Sequence, residues 1–185
     1  MYIETRKLVI YMAIYLMVFI SGSYMGFQYS DTALEVVEML FGLDGEPIQW
    51  SPTIILTIFF RNLATATMIL ASSPVVGVLP TLSMFINGFV VGGVVTYSIY
   101  EVGRTFLETM ALLLPHGVIE IPTLLYASAL SLETGLRILR RSIDMDYLNW
   151  LLRIYLRRIT PLLFIAAAIE TFITPTVAGL VRNLV

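Results

Sequence analysis

From Asn62 to Tyr100 the chain carries no charged residue. That run is too long for one spanning helix and suits most of two, since a crossing takes about 20 apolar residues. Composition extends the constraint to the whole chain of 185 residues. Residues of the AVILMFWYC set make up 58%, charged residues only 13%, and mean hydropathy is +0.86. Soluble domains carry about a quarter charged residues. Half that charge calls for a different solvent, and the solvent is lipid.

Five spans follow, at 8–27, 51–73, 75–100, 118–136 and 159–180, in one transmembrane helical domain occupying 1–185. Arg6 and Lys7 precede the first, but its apolar run from Leu8 to Phe27 is longer than a signal-peptide core and lacks a small-x-small cleavage site. It reads as a retained helix. The expected fold is an all-α polytopic bundle with three further pieces. Asp31 to Glu46 alternates acids with apolar residues at helical spacing, capped by Asp31, stopped at Gly42 and turned at Gly45-Glu46-Pro47; it reads as an interfacial amphipathic helix. Arg137–Arg158 is a second one, basic, with Trp150 and Tyr155 at the boundary. Thr105–Leu114 is too short to cross and reads as re-entrant, ended by a helix break at Pro115-His116-Gly117, with Pro122 following and Pro175 bending the last span.

Basic residues orient the bundle. With five spans, Arg6, Lys7 and the arginines of 137–158 share one side, and the acids of 31–46 share the other with Glu101, Arg104 and Glu108. The expected localisation is a multi-pass cell-membrane protein, its N-terminus cytoplasmic and its C-terminus external.

Several groups do not belong in lipid. At about 1.5 Å per residue, Arg61 and Asn62 fall near the middle of the second span, Asn87 of the third and Glu170 of the fifth. His116 and Glu120 sit four apart, on one helix face toward the external end of the fourth. A charged group at mid-bilayer costs about 2.5–3.5 kcal/mol on insertion scales. These six should therefore face one another or water, with Arg61 pairing Glu170 or Glu120 and the other carboxylate protonated or bonded to His116. Such a cluster is either a structural clasp that fixes helix register or a functional pocket. Gly22-x-x-x-Gly26 and Gly88-x-x-x-Gly92, with Gly93, permit close helix contact, inside one chain or across a dimer.

Other chemistries fare poorly. Cysteine is absent and net charge is −2, so there is no thiolate metal site and no basic face for nucleic acid. Gly-x-Ser-x-Gly, Walker A and dinucleotide fingerprints are missing, and Ser128 or Ser131 would be solitary nucleophiles. No organic cofactor is implied. His116, Glu120 and Glu170 are the one weak candidate set for a metal, a His/Glu/Glu site that Arg61 would oppose.

Leu114-Pro115-His116-Gly117-Val118-Ile119-Glu120-Ile121-Pro122 resembles the Pro-His-Gly-x-x-Glu-x-Pro signature of the stage II sporulation protein M family. Ile169-Glu170-Thr171-Phe172-Ile173-Thr174-Pro175 is similar to that family's Ile-Glu-Gly-Phe-Ile-Thr-Pro segment, with Thr171 in place of the glycine. Asn87-Gly88 with Gly92 resembles its Asn-Gly-x-x-x-Gly span, and Asn62 its mid-span asparagine. The resemblance implies a five- or six-helix membrane protein whose sporulation members act as membrane partners of cell-wall hydrolases, with no established catalysis. Asn62, Asn87, His116, Glu120 and Glu170 all fall on those motifs. Members also occur outside sporulating organisms, so the resemblance carries a polar set and a fold rather than a process.

Three functions remain open. The first is a non-enzymatic membrane component, a scaffold or a subunit of a transport or membrane-remodelling assembly, working in the lipid bilayer as a homodimer or with another membrane or envelope protein. The second is a proton- or cation-coupled transporter or channel. The third is an intramembrane metal-dependent hydrolase with Arg61 as electrophilic helper.

Overall fold

The computed structural model describes residues 3–41 and 52–183, and these are helical throughout, with no strand among them. The elements are α1 (Thr5–Gln28), α2 (Ser30–Phe41), α3 (Pro52–Ala71), α4 (Val78–Tyr100), α5 (Phe106–Leu139), α6 (Met145–Ile154), α7 (Thr160–Ala168) and α8 (Thr174–Arg182). A 3₁₀ turn, Ser73–Val75, joins α3 to α4. The π-helical turns Tyr155–Ile159 and Ile169–Ile173 link α6, α7 and α8 into one helix. Among the described residues five helices are thus long and apolar enough to cross a membrane: α1, α3, α4, α5 and the composite α6–α8. Large apolar side chains face outward on all five, among them Met17, Phe60, Leu82, Leu114 and Phe172. The protein is an all-α multipass membrane bundle.

Alternating crossings put residues 4–7, 72–77 and 140–144 at one end, and the Tyr100–Phe106 connection and Arg182 at the other. We call the first the basic end, because Arg6, Lys7, Arg140 and Arg141 gather there.

The glycines explain the closest helix pair. A Cβ built on Gly22 or Gly26 would strike the backbone carbonyl of Phe85 or Phe89, and one on Gly88 or Gly92 that of Phe19 or Ser23. The two Gly-x-x-x-Gly faces therefore interlock α1 with α4 inside one chain, and those glycines are not free to form a dimer face. Beyond a turn at Tyr29, α2 continues along α4, its fully buried Ala33 lying against Gly93.

Three sequence expectations change. The first concerns α5, which runs unbroken from Phe106 to Leu139 with Pro115 and Pro122 inside it. There is neither a re-entrant helix over 105–114 nor a break at Pro115-His116-Gly117. Thr105 starts α5 with a capping box: its Oγ1 accepts from Glu108 N (3.2 Å) and its own N donates to Glu108 Oε2 (2.7 Å). Prolines are tolerated in a spanning helix whose neighbours shield the disturbed backbone, and α5 touches α1, α3, α4, α7 and α8. Second, the basic segment is not one interfacial helix. Leu139 ends α5, a turn with Arg141 at φ 53° follows, and Asp144 caps α6 through Tyr147 N (2.7 Å) before the chain runs on into the last crossing. Third, the acidic helix starts at Ser30, so Asp31 lies in its first turn and does not cap it, and its packing on α4 removes it from a purely interfacial position. The expected stop at Gly42 and turn at 45–47 lie outside the described residues.

Pro175 does mark a change of helix geometry. It follows the π turn Ile169–Ile173 by two residues, and Pro161 likewise follows Tyr155–Ile159. A wider turn before a proline relieves the clash between its ring and the preceding carbonyl.

The apolar core is lopsided. Tyr15, Ile69, Met84, Leu124, Leu130, Ile159 and Leu163 are all buried in one cluster, and all lie in the halves of their crossings nearer the basic end. Across the α5–α6 turn, the fully buried Tyr147 hydroxyl meets Thr134 Oγ1 (2.8 Å) and its ring stacks under Arg137, itself paired with Glu133 (2.9 Å).

Candidate functional site

The cavities gather around the six polar residues. One of about 550 Å³ lies between α3, α4 and α5, and Arg61, Asn62, Asn87, His116, Glu120 and Glu170 all line it. A second, of about 440 Å³, is bordered by Arg104, Glu108, Leu112, His116, Glu170 and Arg182, so it links the cluster to the end of the bundle. A third, of about 370 Å³ and mostly apolar, has Gly117 and Pro122 in its wall with His116 and Glu120. His116 borders all three.

Continuity of α5 puts His116 deeper than the sequence suggested. It lies ten residues beyond Phe106, roughly 15 Å along the helix. Glu120 is one turn further on the same face. The side chain of Glu170 comes from the π turn Ile169–Ile173, and such turns re-aim side chains that a straight α-helix would point elsewhere. One ligand atom from each of His116, Glu120 and Glu170 falls within 4.8 Å of the other two. Next to Glu170, Thr171 is buried and its hydroxyl donates to Ala167 O (2.8 Å).

Arg61, the most exposed of the six, is close enough to feel both carboxylates, Glu170 more strongly than Glu120. Asn62 approaches the Glu120 carboxylate, but its buried Nδ2 meets no acceptor in hydrogen-bonding geometry. His116 Nδ1 is likewise buried without a partner. Asn87 is satisfied locally, donating to Ser83 O at 2.8 Å. Ser128 and Ser131 are fully buried and donate to the carbonyls of Leu124 (2.9 Å) and Ile69 (2.6 Å), away from the cluster. As nucleophiles they are out of place.

All six sequence candidates line one cavity, but their connection to the bundle end is not marked in the sequence. Glu108 lies within electrostatic reach of Arg182 and Arg104 in the wall of the second cavity. The charged ends of α5 and α8 were visible in sequence; their meeting depends on how the two helices pack.

The model of the family described as stage II sporulation protein M matches residues 8–175. The chain belongs to that family. The match covers all five crossings up to Pro175, and both motifs that carry the cluster, the one around His116 and the one around Glu170, lie within it. No curated protein and no solved structure matches this stage II sporulation protein M family member.

Proposed function

We propose that this protein is a non-enzymatic membrane component, the ion-handling subunit of a transport assembly. One observation carries the reading: a cluster of ionisable groups in the middle of a lipid-facing bundle borders a cavity lined by charged residues at the bundle end. A structural clasp needs partners for its polar atoms, whereas here His116 Nδ1 and Asn62 Nδ2 are buried without them. Ionisable groups inside a membrane that face a cavity mark ion or proton pathways.

The basic residues at one end favour a cytoplasmic N-terminus by the positive-inside rule; on that reading the cavity of Arg104, Glu108 and Arg182 opens outward and the C-terminus is external. A homodimer would complete the assembly, through faces other than the α1–α4 glycines.

The test is flux in proteoliposomes of the purified protein. Cation or proton movement should respond to an imposed proton gradient and fall at least tenfold in Glu170→Gln. Flux at the level of empty liposomes, or unchanged in the variant, would count against the reading. The convergence of His116, Glu120 and Glu170 favours a second reading, an intramembrane metal-dependent hydrolase with Arg61 as electrophilic helper; it requires turnover of an ester, amide or phosphoester substrate that Glu120→Gln abolishes.

A further inference from the structure

We infer that His116, Glu120 and Glu170 form a binding site for one divalent first-row transition metal, with zinc as its natural probe. The inference takes the cluster of the proposed function as its place but does not depend on transport.

Geometry supplies the first argument. Two ligands come from one face of α5, four residues apart, and the third from the π turn opposite. Their donor atoms lie within 4.8 Å of one another. A tetrahedral zinc with bonds of about 2.0–2.1 Å separates its ligands by roughly 3.3 Å, and rotation of two Glu side chains closes that difference. The unpartnered Nδ1 gives the second argument. A buried imidazole nitrogen with no hydrogen bond is costly, and a metal bond to that nitrogen would remove the cost. Asn62, beside Glu120, supplies an amide oxygen as the fourth ligand once its amide flips, and the orphaned Nδ2 then leaves its buried position.

The donor set selects the metal. One imidazole with two carboxylates suits zinc, cobalt or manganese, whereas magnesium and calcium take oxygen ligands alone. Arg61 determines the electrostatic balance. Two carboxylates neutralise the dication, and the guanidinium, near both of them, opposes it. Arg61 is therefore predicted to weaken the site.

That sign makes the inference testable. Full-length protein in nanodiscs, stripped with chelator, is dialysed against Zn²⁺, Co²⁺ or Mg²⁺ and its bound metal measured by mass spectrometry. One equivalent of zinc is expected in the wild type, with cobalt competing and magnesium not. His116→Ala and the near-isosteric Glu170→Gln should each weaken zinc binding at least tenfold, and Arg61→Gln should tighten it several-fold. If His116→Ala does not fold, Glu170→Gln and the ligand-field spectrum of the cobalt-loaded wild type carry the test. Wild-type zinc no higher than in Glu170→Gln would overturn the inference, as would binding lost in Arg61→Gln. Failure here with intact flux removes the metal and leaves transport; metal bound without flux does the reverse.

Discussion

Gly88 and Gly179 show how much depends on where a glycine stands. Both lie inside helices, yet a methyl group on Gly88 would meet the Phe19 carbonyl while one on Gly179 meets nothing within 4 Å. Backbone cannot rotate away as a side chain can. Overpacking at such a contact costs about 1–3 kcal/mol, so Gly88→Ala should lower the unfolding midpoint in detergent by several degrees. Gly179→Ala should be neutral or slightly stabilising, since it removes only glycine's extra freedom in the unfolded chain. Equal midpoints for the two variants would contradict the interlocked α1–α4 pair. At this scale the sequence was informative but ambiguous. Spacing identified the glycines, while only the contacts decide between packing within the chain and a dimer.

Among the elements, α5 holds the most function. It carries His116 and Glu120, touches most of the other helices and ends against the Tyr147 network. Its start is set by the Thr105–Glu108 capping box, and removing such a cap costs about 1 kcal/mol. Thr105→Ala should therefore show faster amide exchange over 106–110 than the wild type, with the Glu133–Tyr147 end unchanged; uniform exchange would argue that the helix starts elsewhere. Gly117 has only Ile121 Cδ1 near its virtual Cβ, at 3.7 Å, so close packing does not require it. Gly117→Ala is expected to stabilise by roughly 0.5–1 kcal/mol, measurable as a raised unfolding midpoint. The tripeptide Pro115-His116-Gly117 looked like a break because both flanking residues disfavour helix in isolation. Surrounding helices override that local preference, a tertiary effect that no local pattern encodes. The Thr-x-x-Glu cap two residues after Gly103 was, by contrast, a readable signal for an earlier start.

For the whole molecule, the number of crossings was legible because lipid penalises every exposed charge. Arg61, Asn87 and Glu170 could each be placed by counting residues from their span ends. What could not be counted is the packing: Leu124, Leu130, Ile159 and Leu163 close into one buried cluster, while a cavity runs past the polar residues from Leu79 to Val94 along α4. It arises from which side chains meet across helices, as in the approach of Glu108 to Arg182.

If the cavity of Arg104, Glu108 and Arg182 opens outward as proposed, water reaches the cluster from the end opposite the basic one. The absence of native cysteine permits single introduced thiols. Leu112 borders the charged cavity one turn from His116, Phe172 points outward, and Ser142 lies in the turn at the basic end. A membrane-impermeant thiol reagent applied to intact cells should modify Leu112→Cys and leave Phe172→Cys and Ser142→Cys untouched, with Ser142→Cys reacting only in inverted vesicles. An unreactive Leu112→Cys in intact cells, with Ser142→Cys behaving as predicted, would contradict the account.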